Sequence, residues 1–312
     1  MEEFTGYSSA KKSLTGFVCA IGNFDGIHLG HQALIKETMK MAEECRCQSA
    51  VFTFEPHPKI FFNGEGSVSL IYNKEKKHAL LSSFGLSALI AESFDKKLAS
   101  LDAEPFIKEI FVKTLKVRGI VVGANFRFGR DATGDTALLR NILEKENIKL
   151  KVIEDVLVDD SVCSSSVIRD FLRKGLVERA NRFLGRNFSI KGFVVRGEGR
   201  GHKIGVPTVN ILPESDLICL KTGVYMTKVL LQNKESYFAA TNVGHRPTFG
   251  KNGRLIIESH LLSFTKDLYG QEIEINFLEK IREETSFPSK EALVKQIKQD
   301  LSSITDKINA QD

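Results

Sequence analysis

FVCAIGNFDGIHLGH, residues 17–31, runs from five apolar residues through a turn with two glycines to a pair of histidines. The run 17–21 is short, apolar and partly β-branched, as expected of a strand covered on both faces. Residues 31–41 then carry apolar positions at helical spacing. The stretch therefore reads as strand, tight turn and helix, with Gly22 and Gly26 letting the backbone come close to a ligand. His28 and His31 stand three apart and share a face of the first helical turn. A helix N-terminus attracts anions through its free N–H groups and its dipole. Two imidazoles added there suit a polyphosphate, above all charge developing on a phosphoryl group during transfer. Two plainer readings stay open at this spacing, a metal site completed by Asp25 and a capped helix.

Working outward, strands at 50–54, 86–91, 119–122 and 149–153 alternate with helices at 74–84, 103–115 and 136–143. That order predicts an α/β domain, a Rossmann-like parallel sheet with helices on both faces. Ligands of such sheets lie beyond the carboxyl ends of the strands, here after Ile21, Phe54 and Val122. FTFEPHP at 52–58 and GANFRFG at 123–129 occupy two of those positions. Phe54, Phe126 and Phe128 offer stacking surface for a flat ring, or simply core. Helices at 164–173 and 176–184 follow, with Gly175 placed to cap the first. The pattern then changes. Strands at 188–195, 206–211, 224–231, 237–242, 255–262 and 272–277, punctuated by Gly, Pro, Asn and Asp, predict a barrel or sandwich, closed by a helix at 291–301. The boundary is expected near Gly185, giving domains 1–185 and 186–312.

At 312 residues the chain has room for two cores. Its net charge of +5 is spread among acids, as in KNGRL and KIREE, which argues against a nucleic-acid partner and suits polyphosphate substrates. The five cysteines include no Cys-x-x-Cys pair and read as reduced thiols. MEEFTGYSSAKK is too polar for a signal peptide, and no apolar run is long enough to span a bilayer. A cytoplasmic protein without a membrane partner is expected.

GNFDGIHLGH resembles the signature of the HxGH nucleotidyltransferase superfamily, which transfers a nucleotidyl group with loss of pyrophosphate. SSSVIR at 164–169 is similar to that superfamily's distal serine/threonine and arginine motif, where Ser165 and Ser166 offer hydroxyls and Arg169 a forked cation. The resemblance implies an ATP site drawn from Gly22, Phe24, Asp25, Gly26, His28, Gly30, His31, Asn125, Ser165, Ser166 and Arg169, with His28, His31 and Arg169 catalytic. With FTFEPHP and GANFRFG added, residues 1–185 resemble the adenylyltransferase module of bacterial bifunctional riboflavin kinase/FAD synthetases. That implies flavin contacts from Phe54, Pro56, His57, Pro58, Phe126 and Phe128. Many members carry Asp where Asn125 stands.

RGEGRGHKIGVPTVN at 196–210 is glycine-rich but no Walker A loop, since no Gly-Lys-Ser/Thr follows. It resembles the riboflavin kinase signature, which usually ends in Pro-Thr-Ala-Asn. The resemblance implies ATP contacts from Gly199, Arg200, Gly201, Lys203, Thr208 and Asn210, with Thr208 and Asn210 holding Mg²⁺ on the phosphates. NVGHRPTFG at 242–250 and LIIESHLLSFTKDLYG at 255–270 continue the likeness, which makes Glu258 the general base toward the ribityl hydroxyl. KIREETSF at 280–287 matches the family's late arginine loop and puts Arg282 at the flavin. Val209 stands for the common Ala, His202 for a frequent Arg and Ser263 for a frequent Asp; if either activity is feeble, the kinase is expected to be. The whole implies an enzyme that phosphorylates riboflavin to FMN and adenylylates FMN to FAD. Riboflavin, FMN, FAD and ATP are its small-molecule partners, and it is expected as a monomer or weak oligomer. Two alternatives are an FAD synthetase with a weak or lost kinase, and a non-catalytic flavin or nucleotide sensor.

Overall fold

The first apolar run forms a strand at the centre of a six-stranded parallel sheet. The strands are β1 (Glu2–Thr5), β2 (Val18–Ile21), β3 (Ser49–Glu55), β4 (Ala88–Ser93), β5 (Gly119–Gly123) and β6 (Lys149–Ile153), in the order β1-β4-β3-β2-β5-β6. The structure, a computed structural model, describes residues 1–196, 206–213, 217–246 and 254–310, with 245, 246 and 254 described by backbone alone. Its contacts fall into two units, Met1–Ser165 and Ser166–Asp312. The expected boundary at Gly185 lies inside the second of these.

Strand alternation divides the core of the first unit. Val18, Ala20, Val51, Leu89 and Val121 face one side. Cys19, Ile21, Phe52, Ile90, Ile120 and Val122 face the other. The helices of this unit are α1 (Tyr7–Ala10), α2 (Leu29–Glu44), α3 (Pro58–Asn63), α4 (Lys74–Ser83), α5 (Lys96–Ala99), α6 (Ala103–Pro105) and α7 (Thr136–Lys145). In α2, Leu34, Ile35, Thr38, Met41 and Ala42 are buried, the stripe that a helix lays on a sheet. The expected helix at 103–115 differs in kind: after α6 the chain opens into a π-helical stretch, Phe106–Thr114. The wider turn sets Phe106, Ile107, Ile110 and Phe111 into one core. A short hairpin, β7 (Leu157–Val158) with β8 (Ser161–Val162), precedes the second unit.

The second unit begins with most of α8 (Ser165–Lys174), followed by α9 (Val177–Leu184), which ends at Gly185 with φ +67°, a left-handed cap. Six strands then close an antiparallel barrel in the order β10-β13-β12-β11-β14-β9. They are β9 (Phe188–Val195), β10 (Val209–Ile211), β11 (Gly223–Leu230), β12 (Ser236–Arg246), β13 (Arg254–Leu261) and β14 (Glu272–Arg282). The choice between barrel and sandwich is decided by β9, which pairs with both β10 and β14 and leaves no open edge. Inside, the hydroxyls of Thr227, Thr241 and Ser259 form a fully buried ladder at 2.6 and 2.8 Å. The last helix, α10 (Lys290–Asn309), is eight residues longer at its C-terminal side than the expected 291–301. The fold is thus the expected one, a parallel α/β sheet followed by a β-barrel and a C-terminal helix.

Candidate active sites

β2 is the switch point of the sheet: β3 lies on one side of it and β5 on the other, so the loops beyond their carboxyl ends diverge and leave a crevice. The first loop is held in a demanding backbone. Phe24 has φ +51°, Gly26 +81° and Ile27 +42°. Left-handed Phe and Ile are strained, and both side chains are fully buried, which fixes the turn. Gly26 is needed for space as well, since a Cβ there would lie 2.7 Å from Ile71. Gly22, by contrast, needs no left-handed backbone; its bare Cα leaves room for the Phe24 ring.

His28 is the N-cap of α2, and its Nδ1 accepts from the His31 N–H over a long 3.4 Å. An accepting Nδ1 places the proton of the neutral ring on Nε2. The two imidazoles stack with centroids 3.7 Å apart. Gly30 makes room for this: a Cβ there would meet the His28 ring at 3.1 Å. The Asp25 carboxylate is buried and accepts from the Ile71 N–H at 2.9 Å, so it braces the loop. Among the described residues no group of three or more His, Cys, Asp or Glu side chains is arranged to hold a metal ion. Ser165 Oγ donates to the Asp25 carbonyl at 2.9 Å and ties the distal motif to the first loop. Ser166 and the buried Arg169 belong, with the rest of α8, to the second unit.

Beside Gly22 and Asn23 opens a cavity of about 610 Å³, walled by Phe54, His57, Pro58, Phe94, Phe106, Asn125, Phe126 and Phe128 among others. Its aromatic rings are mutually braced. Phe54 meets Phe94 edge-on at 5.6 Å, and Phe126 stacks on Phe128 at 5.4 Å. Pro56 is not in the wall; it follows Glu55 through a cis bond. Asn125 donates its amide to both oxygens of Asp155, at 3.0 and 2.9 Å. That pairing sets a carboxylate beside Asn125 at the exit of the neighbouring strand β6. Phe94, Phe106 and Asp155 went unnoticed in the sequence because their partners are far along the chain.

Behind this wall, Glu55 ends β3 in a cluster of charges. Its Oε1 meets Lys77 Nζ at 2.7 Å and His78 Nε2 at 2.9 Å, and its Oε2 meets Lys74 at 3.1 Å. His78 Nδ1 lies 2.8 Å from Glu3 on β1. Burial works to raise the Glu55 carboxyl, but His78, Lys77 and Lys74 outweigh it and hold the group at about 2. The Glu55 carboxylate, against the effect of burial and with help from Glu3, raises His78 above its usual 6.5.

In the barrel, Asn210, Glu258, Asn242, Val224 and Arg282 face one another in successive register positions across β10, β13, β12, β11 and β14. Directly paired residues share a face. Glu258, Asn242, Val224 and Arg282 line a cavity of about 430 Å³, with Thr208, His260, Glu284 and Phe287. A second cavity of about 460 Å³ is lined by Pro207, Thr208, Val209, Leu261, Phe264 and Tyr269. Thr208 stands in both walls. His260 pins this segment by bonding the Pro207 carbonyl at 2.7 Å. Asn210 is buried, and its Oδ1 has no hydrogen-bond partner. An orphan amide oxygen two positions along the chain from a threonine hydroxyl offers the hard oxygen donors a cation such as Mg²⁺ takes, so these residue types fit it. The Arg282 guanidinium faces the cavity while clasping Asp300 on α10 through three bonds of 2.8–3.1 Å. Val209 shares a strand face with buried Ser259. Ser263 has φ +57°, a conformation Asp tolerates better than Ser, so that departure bears on the backbone. Gly199, Arg200, Gly201, His202 and Lys203 lie outside the described residues.

Comparison with known proteins agrees with this division. Residues 10–167 match the FAD synthetase family and residues 184–308 the riboflavin kinase family. A bifunctional riboflavin kinase/FMN adenylyltransferase from Buchnera aphidicola subsp. Schizaphis graminum is 34% identical over 96% of this chain and 97% of its own. One from Escherichia coli (strain K12) is 33% identical over 91% and 90%. A crystal structure described as a macrolide-efflux protein from Streptococcus pneumoniae superposes with a TM-score of 0.87 at 28% identity, covering 97% of this chain and 98% of that one. Efflux is said of that protein; among the described residues here, no helix is long and apolar enough to cross a membrane. With an FAD synthetase domain and a riboflavin kinase domain in one chain, and near-full-length likeness to enzymes that carry both, the chain belongs to the bifunctional riboflavin kinase/FMN adenylyltransferase family.

Proposed function

We propose that residues 186–312 transfer the γ-phosphoryl group of ATP to the terminal ribityl hydroxyl of riboflavin, and that residues 1–185 join the resulting FMN to the adenylyl group of a second ATP. The observation that carries the reading is Thr208, which stands in the wall of two cavities at once. One cavity takes the nucleotide, with Phe264 and Tyr269 at the base. The other takes the flavin, with Glu258 at the ribityl end. Glu258 removes the hydroxyl proton as the oxygen attacks phosphorus, and ADP leaves. Thr208 and Asn210 would hold Mg²⁺, which would supply charge neutralisation on the phosphates. In the adenylyltransferase, the aromatic cavity holds the FMN ring. The FMN phosphate attacks the α-phosphorus of ATP, and pyrophosphate leaves. His28 and His31 donate to the charge that builds there, with Arg169, Ser165 and Ser166 on the phosphates. Asn125 borders the shared end of both substrates. The same reading has a cytoplasmic enzyme, supported by five free cysteines, working as a monomer or weak oligomer.

Chromatography of products from riboflavin, ATP and Mg²⁺ tests it, with FMN expected to rise before FAD. Glu258→Gln is expected to slow FMN formation by about 10²–10⁴-fold and spare adenylylation of supplied FMN. His28→Ala is expected to do the reverse. A folded variant that loses both reactions would sink the separation of sites.

A further inference from the structure

The loop that brings His57 and Pro58 to the flavin cavity leaves β3 at Glu55, and Glu55 itself does not line the cavity. It is gripped instead by three cations of α4, Lys74, Lys77 and His78. Only His78 reaches further, to Glu3 on β1. Lys77 and His78 are about nine-tenths buried, at 9% and 8% exposure. The geometry makes a demand on the ring. Both nitrogens lie within 2.9 Å of a carboxylate oxygen, an acceptor without a proton to give. Both contacts are hydrogen bonds only when both nitrogens carry protons. A neutral ring sets one lone pair against a carboxylate.

We propose that His78 is a positioning residue of the adenylyltransferase: as an imidazolium bridging Glu3 and Glu55 it fixes the exit of β3, so FMN affinity depends on the charge of a side chain that never meets the flavin. The proposal rests on the reading of the aromatic cavity as the FMN site. The charged groups that face His78 are Glu3 from β1 and Glu55 from β3, with Lys74 and Lys77 reaching Glu55 from its own helix. Loss of one charge-assisted bond is expected to weaken FMN binding about 3–10-fold.

The test is KM for FMN in FAD formation between about pH 6 and 9, in the full chain, for the unsubstituted protein, His78→Gln and Glu3→Gln. The FMN phosphate titrates in every variant, so the readout is the difference between profiles. His78→Gln is expected to hold KM at the high value the unsubstituted protein reaches only at alkaline pH, with riboflavin phosphorylation unchanged. Glu3→Gln, at an exposed position that folding tolerates, is expected to move the rise in KM to lower pH. Superimposable profiles in either variant overturn the proposal. Phe126→Ala separates the two layers: if it leaves KM for FMN unchanged, the cavity reading fails; if it raises KM while the profiles still coincide, only the role of His78 fails.

Discussion

Single residues carry most of what was legible about the chemistry. His28, Gly30 and His31 lie within four positions, so the sequence alone brings them together at the start of α2, and the structure adds that His28 is the N-cap and that Gly30 leaves room for its ring. Asn125 is the opposite case. Its partner Asp155 is thirty residues away on another strand exit, and no local pattern joins them. Their pairing yields a prediction. Asn125→Asp sets two carboxylates about 3 Å apart and removes two hydrogen bonds from the cavity rim. KM for the adenylylation substrates is expected to rise a few-fold at neutral pH. The penalty is expected to shrink at mildly acidic pH, because two carboxylates that close do not both stay ionised. Steady-state kinetics at the two pH values check it, and an unchanged KM at neutral pH would dismiss the role of the amide.

Elements were readable where one periodicity ran long enough. β2 is a fully buried apolar run, β3 and β5 are buried along most of their length, and α2 carries its stripe openly. β1 and α3 were not seen, since a four-residue strand at the sheet edge and a six-residue helix offer too few repeats to count. β10 is shorter than its expected span because the chain at 206–208 leaves the ladder to form a cavity wall. The C-terminal helix raises a question of attachment. Asp300, buried at 5% exposure, takes three bonds from Arg282 and one more from Gln296 at 2.9 Å. Asp300→Ala leaves the Arg282 charge without its partner and is expected to cost about 3 kcal/mol. Because Leu293 and Ile297 of the same helix line the cavity proposed for riboflavin, KM for riboflavin is expected to rise with it. Denaturant unfolding and kinase kinetics measure the two effects, and Asp300→Asn should recover part of both.

For the whole molecule, the Glu3–His78–Glu55 cluster also sets a pH window of stability. Glu55 titrates far below its usual 4.5, so its contribution is complete above that value and is lost as pH falls toward 2. His78 titrates above 6.5, so its contribution is complete below that value and is lost as pH rises through its raised pKa. Together they stabilise most between about pH 4.5 and 6.5. Urea midpoints should therefore fall from mildly acidic to alkaline pH by more in the unsubstituted protein than in His78→Gln; equal falls would remove His78 from the account. Two domains were foreseeable from the change of pattern after 185 and a β-barrel was expected, but the strand pattern alone left a sandwich open, because the closure of the barrel by its first and last strands leaves no mark in either. That closure has a consequence for synthesis. β9 is completed only by β14, so the strands bearing Asn210 and Glu258 cannot be sealed into a barrel until residue 282 has left the ribosome. The parallel sheet has all its strands by residue 153, so on a nascent chain the adenylylating unit is assembled while the phosphorylating unit is still an open ribbon.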